Sequence, residues 1–196
     1  MCISMKQNFG EFIKNNKLFT LAYARKQGIY PSLIAYYQKT GLLERIGRGL
    51  YKVTSAKLHI PPQWEDLVYA VLSIPSGHVC LISALALYDM TDEIPRKHWI
   101  AISNKKFPIK RPGTKIVRMR NMQVGQSSIN LGEISVPIFD KERTVVDAFR
   151  YLSYAVAIKA LKAYLGQGKP DINKLYGYTK KLRVKKIVPY ILSLTT

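Results

Sequence analysis

The fold is decided by residues 20–53, TLAYARKQGIYPSLIAYYQKTGLLERIGRGLYKV. A short helix is predicted over residues 21–27 and ends at Gly28, because glycine readily adopts the positive φ that ends helices. A second helix is predicted over residues 31–40, with proline and serine in its first turn and Gly41 after its last residue. Two helices separated by a tight turn form a helix-turn-helix.

The residues after the second helix predict a β-hairpin. Two β-prone runs, residues 42–46 and 50–53, are joined by the loop Gly47-Arg48-Gly49. A further helix is predicted before them, over residues 9–14, packed under the helix-turn-helix. Helix, turn, helix and hairpin within about 35 residues form the plan of a winged DNA-reading domain. Nucleic-acid binding is therefore the first functional hypothesis.

The composition indicates a charged partner. The chain has 196 residues, of which 47% are hydrophobic, so one or two packed domains are expected. Lys and Arg outnumber Asp and Glu by 31 to 12, which gives a net charge of +19. Because a small domain needs only about 2–8 net charges for solubility, the excess predicts binding to phosphate backbones, to an acidic membrane or to an acidic protein.

The positive charge is concentrated at the two ends of the chain. Residues 1–57 hold 10 basic and 2 acidic residues, residues 58–139 hold 9 and 6, and residues 140–196 hold 12 and 4. A pair of prolines breaks the chain between the first two stretches. The predicted organisation is a winged helix-turn-helix domain at residues 1–57, a linker at 58–62 and an α+β domain at 63–196.

The second domain is predicted to combine a small sheet with terminal helices. β-branched runs bounded by proline and glycine predict three short strands, at residues 99–102, 115–120 and 134–138. Asp140 is placed to cap a helix over residues 141–151. Further helices are predicted at residues 63–72, 79–88, 154–165, 171–180 and 184–194.

Membrane-spanning, secreted and metal-binding classes are not supported by the sequence. No run of about 18 or more apolar residues is present, and the N-terminal residues lack the pattern of a signal peptide. Two cysteines, Cys2 and Cys80, are too few for a disulfide framework or a cysteine-built zinc site. The histidines, at positions 59, 78 and 98, are isolated from other metal ligands. We therefore expect a cytoplasmic protein with no metal and no cofactor.

A catalytic site is not expected either. The sequence has no phosphate-cradling glycine loop and no nucleophile–base constellation. The carboxylates that could serve a nuclease stand at helix starts and in loops, where capping roles suffice. They are Glu65, Asp66, Asp89, Asp92 and Glu93. Asp147 and Arg150, three residues apart on one helix, suit a local ion pair or a link to a neighbouring helix.

The second helix of residues 20–53 is predicted to present one face to DNA. If Ile34 and Tyr37 pack inward, the opposite edge faces outward, because positions three and four apart align along a helix. Side chains there can hydrogen-bond to bases or phosphates, and Leu33 can contact a thymine methyl group. Arg48 at the hairpin tip can enter a minor groove or bind a phosphate. The predicted DNA-binding residues are Arg25, Lys26, Ser32, Leu33, Tyr36, Lys39, Thr40, Arg45, Arg48 and Lys52.

Other interpretations of this segment stay open at this point. Arg45 and Lys52 are predicted to flank Arg48 across the two strands of the hairpin, yet a basic hairpin can also be a solvated edge strand. Helix-turn-helix shapes also serve as protein–protein modules. The alternatives to DNA binding are a basic RNA-binding module and a non-catalytic interaction protein with an acidic partner.

The C-terminal helices predict a second basic surface. Their apolar stripes are expected in the core, and their other faces carry cations. Residues 180–186 lie near a predicted helix N-terminus, where the helix macrodipole disfavours positive charge. A bound anion would offset this, so we predict a second phosphate-contacting surface, with a solvated lysine face as the alternative. Its residues are Lys159, Lys162, Lys180, Lys181, Arg183, Lys185 and Lys186.

Three segments resemble the AbiE-type antitoxins, the antitoxin half of type IV toxin–antitoxin and abortive-infection loci. Residues 41–51, GLLERIGRGLY, are similar to the end of the winged helix of that family. Residues 83–95, SALALYDMTDEIP, and residues 139–150, FDKERTVVDAFR, are similar to its later signature segments. In order and spacing the resemblance covers the chain from about Phe9 to Leu194.

The resemblance implies a bacterial protein of two domains without catalysis. In that family the N-terminal winged helix binds inverted repeats in its own promoter and represses the operon. The C-terminal domain is associated with antitoxicity against a nucleotidyltransferase-like toxin, without a stable complex, and assists cooperative binding to the operator. We therefore expect a monomer that binds double-stranded DNA cooperatively, with antitoxicity as the alternative role of the second basic surface. Tyr36 and Tyr37 stand where the resemblance leads us to expect arginine, which leaves the operator sequence open.

Overall fold

A computed structural model describes residues 2–108 and 111–195, and among them the side chains of residues 9–108 and 111–194. The side chain of Cys2 therefore lies outside the described part, whereas Cys80 is a buried free thiol. The chain combines helices and strands, with a run of strands followed by a run of helices in its second half, so the predicted α+β fold class is confirmed. Within the described residues, no helix is long and apolar enough to cross a membrane.

The chain divides into two compact units. The first comprises Met1–Pro75 with Leu131–Ile134, and the second comprises Ser76–Asn130 with Ser135–Thr196. This division lies further along the chain than the predicted linker at residues 58–62. The boundary between functional domains stays a prediction.

The first unit is a helix-turn-helix followed by a β-hairpin, as predicted. Its helices are Cys2–Asn15 (α1), Leu21–Lys26 (α2), Pro31–Lys39 (α3) and Glu65–Leu72 (α4), the last preceded by a 3-10 turn at Pro62–Trp64. Its strands are Leu18–Thr20 (β1), Leu43–Gly47 (β2) and Leu50–Val53 (β3). The order is β1-β3-β2, and β3 pairs antiparallel with both neighbours. The sequence analysis missed β1 because three residues are too few to show an alternation of apolar and polar positions.

Local signals fix the ends of the two central helices. The Thr20 hydroxyl accepts a hydrogen bond of 3.1 Å from the backbone N–H of Tyr23 and so caps the start of α2. Gly28, with a φ of +78°, lies just beyond the end of α2, and Gly41, with a φ of +79°, follows α3. Pro31 occupies the first turn of α3, where a missing backbone N–H costs nothing.

The first unit has a core that is rich in aromatic side chains. Phe9 and Phe12 of α1, Phe19 of β1 and Ile34 of α3 are all buried. The rings of Phe12 and Phe19 meet edge to face with centroids 4.9 Å apart, a geometry that aromatic pairs favour. Burying each of these side chains stabilises the fold by about 1.5–3 kcal/mol, so the helix-turn-helix is held by α1 and β1 as well as by its own turn.

Helix α4 extends the first unit beyond the hairpin. It packs against β2, and a Cβ placed on Gly47 of β2 would lie 3.5 Å from the Cβ of Ser73 just after the helix. Leu67 and Val71 of α4 are fully buried. The prediction that residues 63–72 form a helix is confirmed, but this helix belongs to the first unit and not to the second.

The second unit contains most of a mixed five-stranded sheet and a group of helices. Its strands are His78–Val79 (β4), His98–Ser103 (β5), Thr114–Met119 (β6), Gln126–Leu131 (β7) and Ile134–Phe139 (β8). The order is β6-β5-β4-β8-β7, with β5–β6 and β4–β8 parallel and β4–β5 antiparallel. Its helices are Leu81–Leu87 (α5), Lys141–Tyr151 (α6), Tyr154–Gly166 (α7), Ile172–Lys181 (α8) and Val188–Thr195 (α9), with a 3-10 turn at Lys185–Ile187.

Two sequence predictions for this unit need correction. Residues 79–88 are not one helix, because His78–Val79 form a central strand and α5 begins only after Cys80. Strand β7 was not predicted, because its sequence QSSINL is polar and mostly exposed at the edge of the sheet. The cap at Asp140 is confirmed, since its Oδ1 accepts a hydrogen bond of 2.8 Å from the backbone N–H of Arg143.

Helix α6 carries a buried ion pair at the centre of the second unit. The Arg143 Nε donates to Asp147 Oδ2 at 2.6 Å, and both side chains are 2% exposed. The same guanidinium donates to the backbone carbonyls of Asn121 and Val124 at 3.0 and 2.8 Å. Burial raises the pKa of the Asp147 carboxyl, and the neighbouring Arg143 opposes that shift. Asp147 therefore pairs with Arg143, whereas Arg150 donates to the carbonyl of Leu182 at the end of α8, which is the predicted alternative of a link to a neighbouring helix.

Polar contacts also fix α8 against the start of α6. Lys174 Nζ lies 3.1 Å from Asp140 Oδ2 and 2.9 Å from Glu142 Oε2. The Tyr178 hydroxyl donates to Asp140 Oδ2 at 2.9 Å. Burial and this hydrogen bond raise the pKa of Tyr178 to about 12. These contacts position α8, whose last turn carries Lys180 and Lys181.

Candidate nucleic-acid interface

Helix α3 is anchored through one face. Ile34 is 1% exposed, and the half-buried Tyr37 stacks on Phe9 of α1 with ring centroids 4.3 Å apart and planes 5° apart. The predicted inward orientation of Ile34 and Tyr37 is confirmed. The opposite edge of the helix is consequently free to meet a partner.

The outward edge of α3 is exposed as the sequence pattern predicts. Ser32, Tyr36, Lys39 and Thr40 are exposed, and Leu33 is half-buried at the margin of the core. A shallow depression of about 450 Å³ lies on this edge and is lined by Tyr30, Ser32, Leu33 and Tyr36. The first two turns of α3 therefore present hydroxyl, aliphatic and aromatic groups rather than charge.

Two exposed residues on this edge were missed by the sequence analysis. Tyr30, just before α3, is 60% exposed and lines the depression. Ala35 is exposed, and its position three after Ser32 and four before Lys39 places it on the same face. Ala35 could have been predicted from the helical spacing of three and four residues. Tyr30 could not, because it precedes the helix and helix periodicity does not apply to it.

Exposed cations lie on the elements before and after α3. Arg25 and Lys26 lie in the last turn of α2 and are exposed, and Arg48 is exposed in the loop of the hairpin. Within the part of the chain that the structure describes, none of these three side chains forms an ion pair with a carboxylate. Their charge is therefore available to an anionic partner.

The hairpin register corrects one prediction. Arg45 is paired with Tyr51, and Lys52 is paired with Glu44. Because successive residues of a strand point to opposite faces, Arg45 and Lys52 lie on opposite faces and do not face each other across the strands. Arg45 is exposed, with its Nε donating to the carbonyl of Gly47 at 3.3 Å, whereas Lys52 is half-buried.

This arrangement of residues also has a counterpart among known families. Residues 11–54 match the family described as transcriptional regulator, AbiEi antitoxin. The match spans the helices, the turn and the hairpin described above, so this segment of the chain is similar to a transcriptional regulator domain. The later segments of the resemblance, residues 83–95 and 139–150, lie outside the matched range. No curated protein matches the chain closely enough to count as a relative.

Beyond the matched residues 11–54, the predicted second basic surface lies mainly around the end of α8. A groove of about 720 Å³ is lined by Tyr176, Thr179, Lys180, Arg183, Lys185, Val188 and Pro189. Lys180 Nζ lies 4.6 Å from the ring centroid of Tyr176. Lys162, Lys181 and Lys186 are also exposed. The groove combines the cations Lys180, Arg183 and Lys185 with aromatic and apolar lining, and lysine and arginine side chains are common phosphate contacts.

Two details of that surface differ from the prediction. Lys180 and Lys181 lie in the last turn of α8, where the helix macrodipole stabilises positive charge. The argument from an unfavourable helix N-terminus therefore fails for them and concerns only Lys185 and Lys186, which precede α9. Lys159 is paired with Asp92, with Nζ 3.2 Å from the Oδ2.

The residues set aside as non-catalytic occupy structural positions. Glu65 lies in the first turn of α4 and accepts a hydrogen bond from the Tyr69 hydroxyl. The half-buried His78 stacks on Phe139 with ring centroids 5.2 Å apart, and burial lowers its pKa. Within residues 2–108 and 111–195, no three His, Cys, Asp or Glu residues are grouped so that they could hold a metal ion.

Proposed function

We propose that the protein is a cytoplasmic transcriptional repressor that binds inverted repeats in its own promoter and also acts as an antitoxin. The observation that carries the proposal is the packing of α3. Ile34 and Tyr37 anchor the helix, the Ser32–Thr40 edge stays exposed apart from the half-buried Leu33, and Arg25 and Arg48 are exposed on the neighbouring α2 and hairpin segments of the chain. The family match at residues 11–54 supports the same role for this segment.

The proposed complex follows the geometry of winged helix-turn-helix proteins. The N-terminal half of α3 enters the major groove, where base edges carry a distinct pattern of donors, acceptors and methyl groups. Arg25 and Lys26 contact the phosphate backbone, which positions the helix without reading sequence. Arg48 at the hairpin tip reaches the adjacent backbone or minor groove. Lys52 is left out of the proposed interface because it is half-buried.

The antitoxin part of the proposal concerns a nucleotidyltransferase-like toxin encoded beside this gene. It is supported by the resemblance of residues 83–95 and 139–150 and by the family description that the N-terminal match carries. We propose that the protein counteracts the toxin without a stable complex, and that monomers bind paired half-sites cooperatively. A toxin gene next to this one, and rescue of toxin-expressing cells by this protein, are the expected observations.

A gel-shift titration tests the DNA-binding proposal. The purified full chain is titrated against the duplex upstream of its own gene, with excess random duplex or structured RNA as competitor. Specific binding typically exceeds non-specific binding by roughly 1,000-fold or more, so the shift should survive both competitors. Equal competition by random duplex would refute operator recognition, and preferential loss to RNA would favour the RNA-binding alternative.

We further propose that the groove at the end of α8 contacts DNA phosphates. Counterion release at 0.15 M salt gives about a five-fold gain in affinity for each neutralised phosphate. Lys180→Gln with Lys185→Gln, two cations that line the groove, should therefore weaken operator binding by roughly 30-fold and lower the slope of log affinity against log salt by about 1.8. The exposed pair Lys97→Gln with Lys105→Gln is the matched control and should change little. If operator affinity and toxin protection are both unchanged, this face is only a solvated lysine surface and contacts no phosphates.

A further inference from the structure

The depression on the recognition helix has an unusual chemistry for a DNA-reading surface. Its lining residues, Tyr30, Ser32, Leu33 and Tyr36, carry no formal charge. The exposed Ala35 lies on the same helix and adds only a methyl group. Neither guanidinium nor carboxamide groups stand on the first two turns of α3, so the usual bidentate partners of guanine and adenine are absent from the part of the helix that meets base edges.

A chain of aromatic contacts holds the depression in shape. The Tyr36 ring meets the Tyr37 ring edge to face, with centroids 5.2 Å apart and planes at 74°. Tyr37 in turn stacks on the buried Phe9 of α1. Tyr36 is 52% exposed and yet rests on the core through these rings. Such support lowers the entropy that an exposed side chain loses on binding, so the outward face of Tyr36 is a preorganised contact surface.

Only one group in the major groove matches an uncharged, partly aliphatic depression. The C5-methyl of thymine is the apolar feature among the base edges there, and it is read by apolar side-chain contacts. The half-buried Leu33 supplies aliphatic surface, Tyr30 and Tyr36 supply ring faces, and the Ser32 hydroxyl can bond to a neighbouring base or phosphate. The cations Arg25 and Lys26 of α2 and Lys39 of α3 are exposed and can supply attraction to phosphates.

We propose that this depression reads the C5-methyl groups of thymines in each half-site, with Leu33 and Tyr36 as the specificity-determining residues. The proposal rests on the proposed function, because it presumes that α3 enters the major groove of the operator. In this proposal the cations attract the phosphates and so supply affinity, whereas the uncharged edge of α3 distinguishes one base sequence from another. The rival reader on this helix is the exposed Gln38, whose carboxamide suits adenine. Gln38 lies in the last turn, about a third of the way round the helix from Ser32.

Replacing thymine with uracil tests the proposal, since it removes the methyl group and leaves the base-pairing edge unchanged. The duplex upstream of the gene is synthesised with either dTTP or dUTP, and the full chain is titrated against both. Removing a buried methyl group weakens binding by roughly four-fold. Two half-sites with one contacted thymine each should therefore give a loss of roughly 16-fold for the uracil duplex.

Variants of the protein identify the residues that sense the methyl group. Leu33→Ala and Tyr36→Ala should each weaken binding to the thymine duplex. Each variant should then bind the thymine duplex and the uracil duplex with nearly the same affinity. Tyr36 is exposed, so its replacement tests the proposal even if the half-buried Leu33 proves necessary for folding. Lys39→Ala is the matched control on the same helix, and it should weaken binding to both duplexes by the same factor. Gln38→Ala should likewise leave the thymine-to-uracil ratio unchanged.

The outcomes separate this inference from the function on which it rests. Specific binding to the thymine duplex, with an unchanged affinity for the uracil duplex, would overturn methyl reading and leave the repressor proposal standing. A uracil effect that persists in both Leu33→Ala and Tyr36→Ala would also overturn it, because the discrimination would then arise from DNA shape. Binding to the thymine duplex no tighter than to random DNA would overturn both proposals.

Discussion

Arg143→Ala should lower the free energy of unfolding of the second unit by about 3–5 kcal/mol, the usual cost of removing one partner of a buried ion pair. The guanidinium is almost fully buried against the Asp147 carboxylate. It also donates to the carbonyls of Asn121 and Val124, in the segment between β6 and β7. The truncated variant keeps a buried carboxylate without its counterion and two carbonyls without the guanidinium donor.

Intrinsic fluorescence can measure this loss in the second unit alone. The chain has two tryptophans, Trp64 in the first unit and Trp99 in the second. In a Trp64→Phe background, urea unfolding followed through Trp99 should therefore shift to lower denaturant with Arg143→Ala. The exposed Arg120 is the matched control, and Arg120→Ala should stay within about 0.5 kcal/mol.

A double variant separates the charge from the hydrogen bonds. Arg143→Met with Asp147→Leu removes both ions, and such replacements are often neutral or stabilising. Here we expect only partial recovery, because both carbonyls lose the guanidinium donor, although the Asn121 carbonyl still accepts from the backbone N–H of Val124 at 3.1 Å. A cost below about 1 kcal/mol for Arg143→Ala alone would contradict this account of the pair.

Reversing the charge of Arg25, Lys26 and Arg48 together should weaken operator binding on the order of 100-fold at 0.15 M salt. Each of the three cations is exposed, and each is proposed to neutralise one phosphate. Loss of three counterion-release contacts multiplies three factors of about five. Titration at several salt concentrations should show the slope of log affinity against log salt falling by about 2.7.

A second triple variant controls for net charge. Arg96, Lys97 and Lys105 are exposed in the second unit and outside the proposed interface. Changing these three cations to glutamate alters the net charge by the same amount, and operator affinity should fall far less. Equal losses in the two triple variants would show that general charge, and not the winged helix-turn-helix, dominates the interaction.

The plan of residues 20–53 was accessible from sequence because its signals are local. Gly28 and Gly41 mark helix ends through their positive φ, and Pro31 marks a helix start. The hairpin follows from two β-prone runs around a short glycine loop. The orientation of Ile34 and Tyr37 follows from helix periodicity alone. None of these inferences needs a partner distant in the chain.

The predictions that differ from the structure concern features that depend on contacts between residues distant in the chain. The pairing of Arg45 with Tyr51 depends on a bulge in the hairpin, where the register shifts between Arg45 and Gly47. Lys180 and Lys181 were grouped with the cations before α9 as one cluster near a helix start, although the predicted helix over residues 171–180 ends at Lys180, as the structure also shows for the last turn of α8. Helix α4 falls in the first compact unit, and no local signal in the sequence says which sheet an apolar helix face will cover.

The amino-acid sequence by itself determined the helix-turn-helix, the hairpin and the surplus of positive charge, since backbone preferences and composition act over a few residues. Tertiary structure alone decided that Arg143 would be buried with Asp147, since that requires strands and loops far apart in the chain to close around α6. It also decided that Tyr36 would rest on Phe9 through Tyr37. A side chain can satisfy its buried charge or stack its ring only after packing has brought the partner to it.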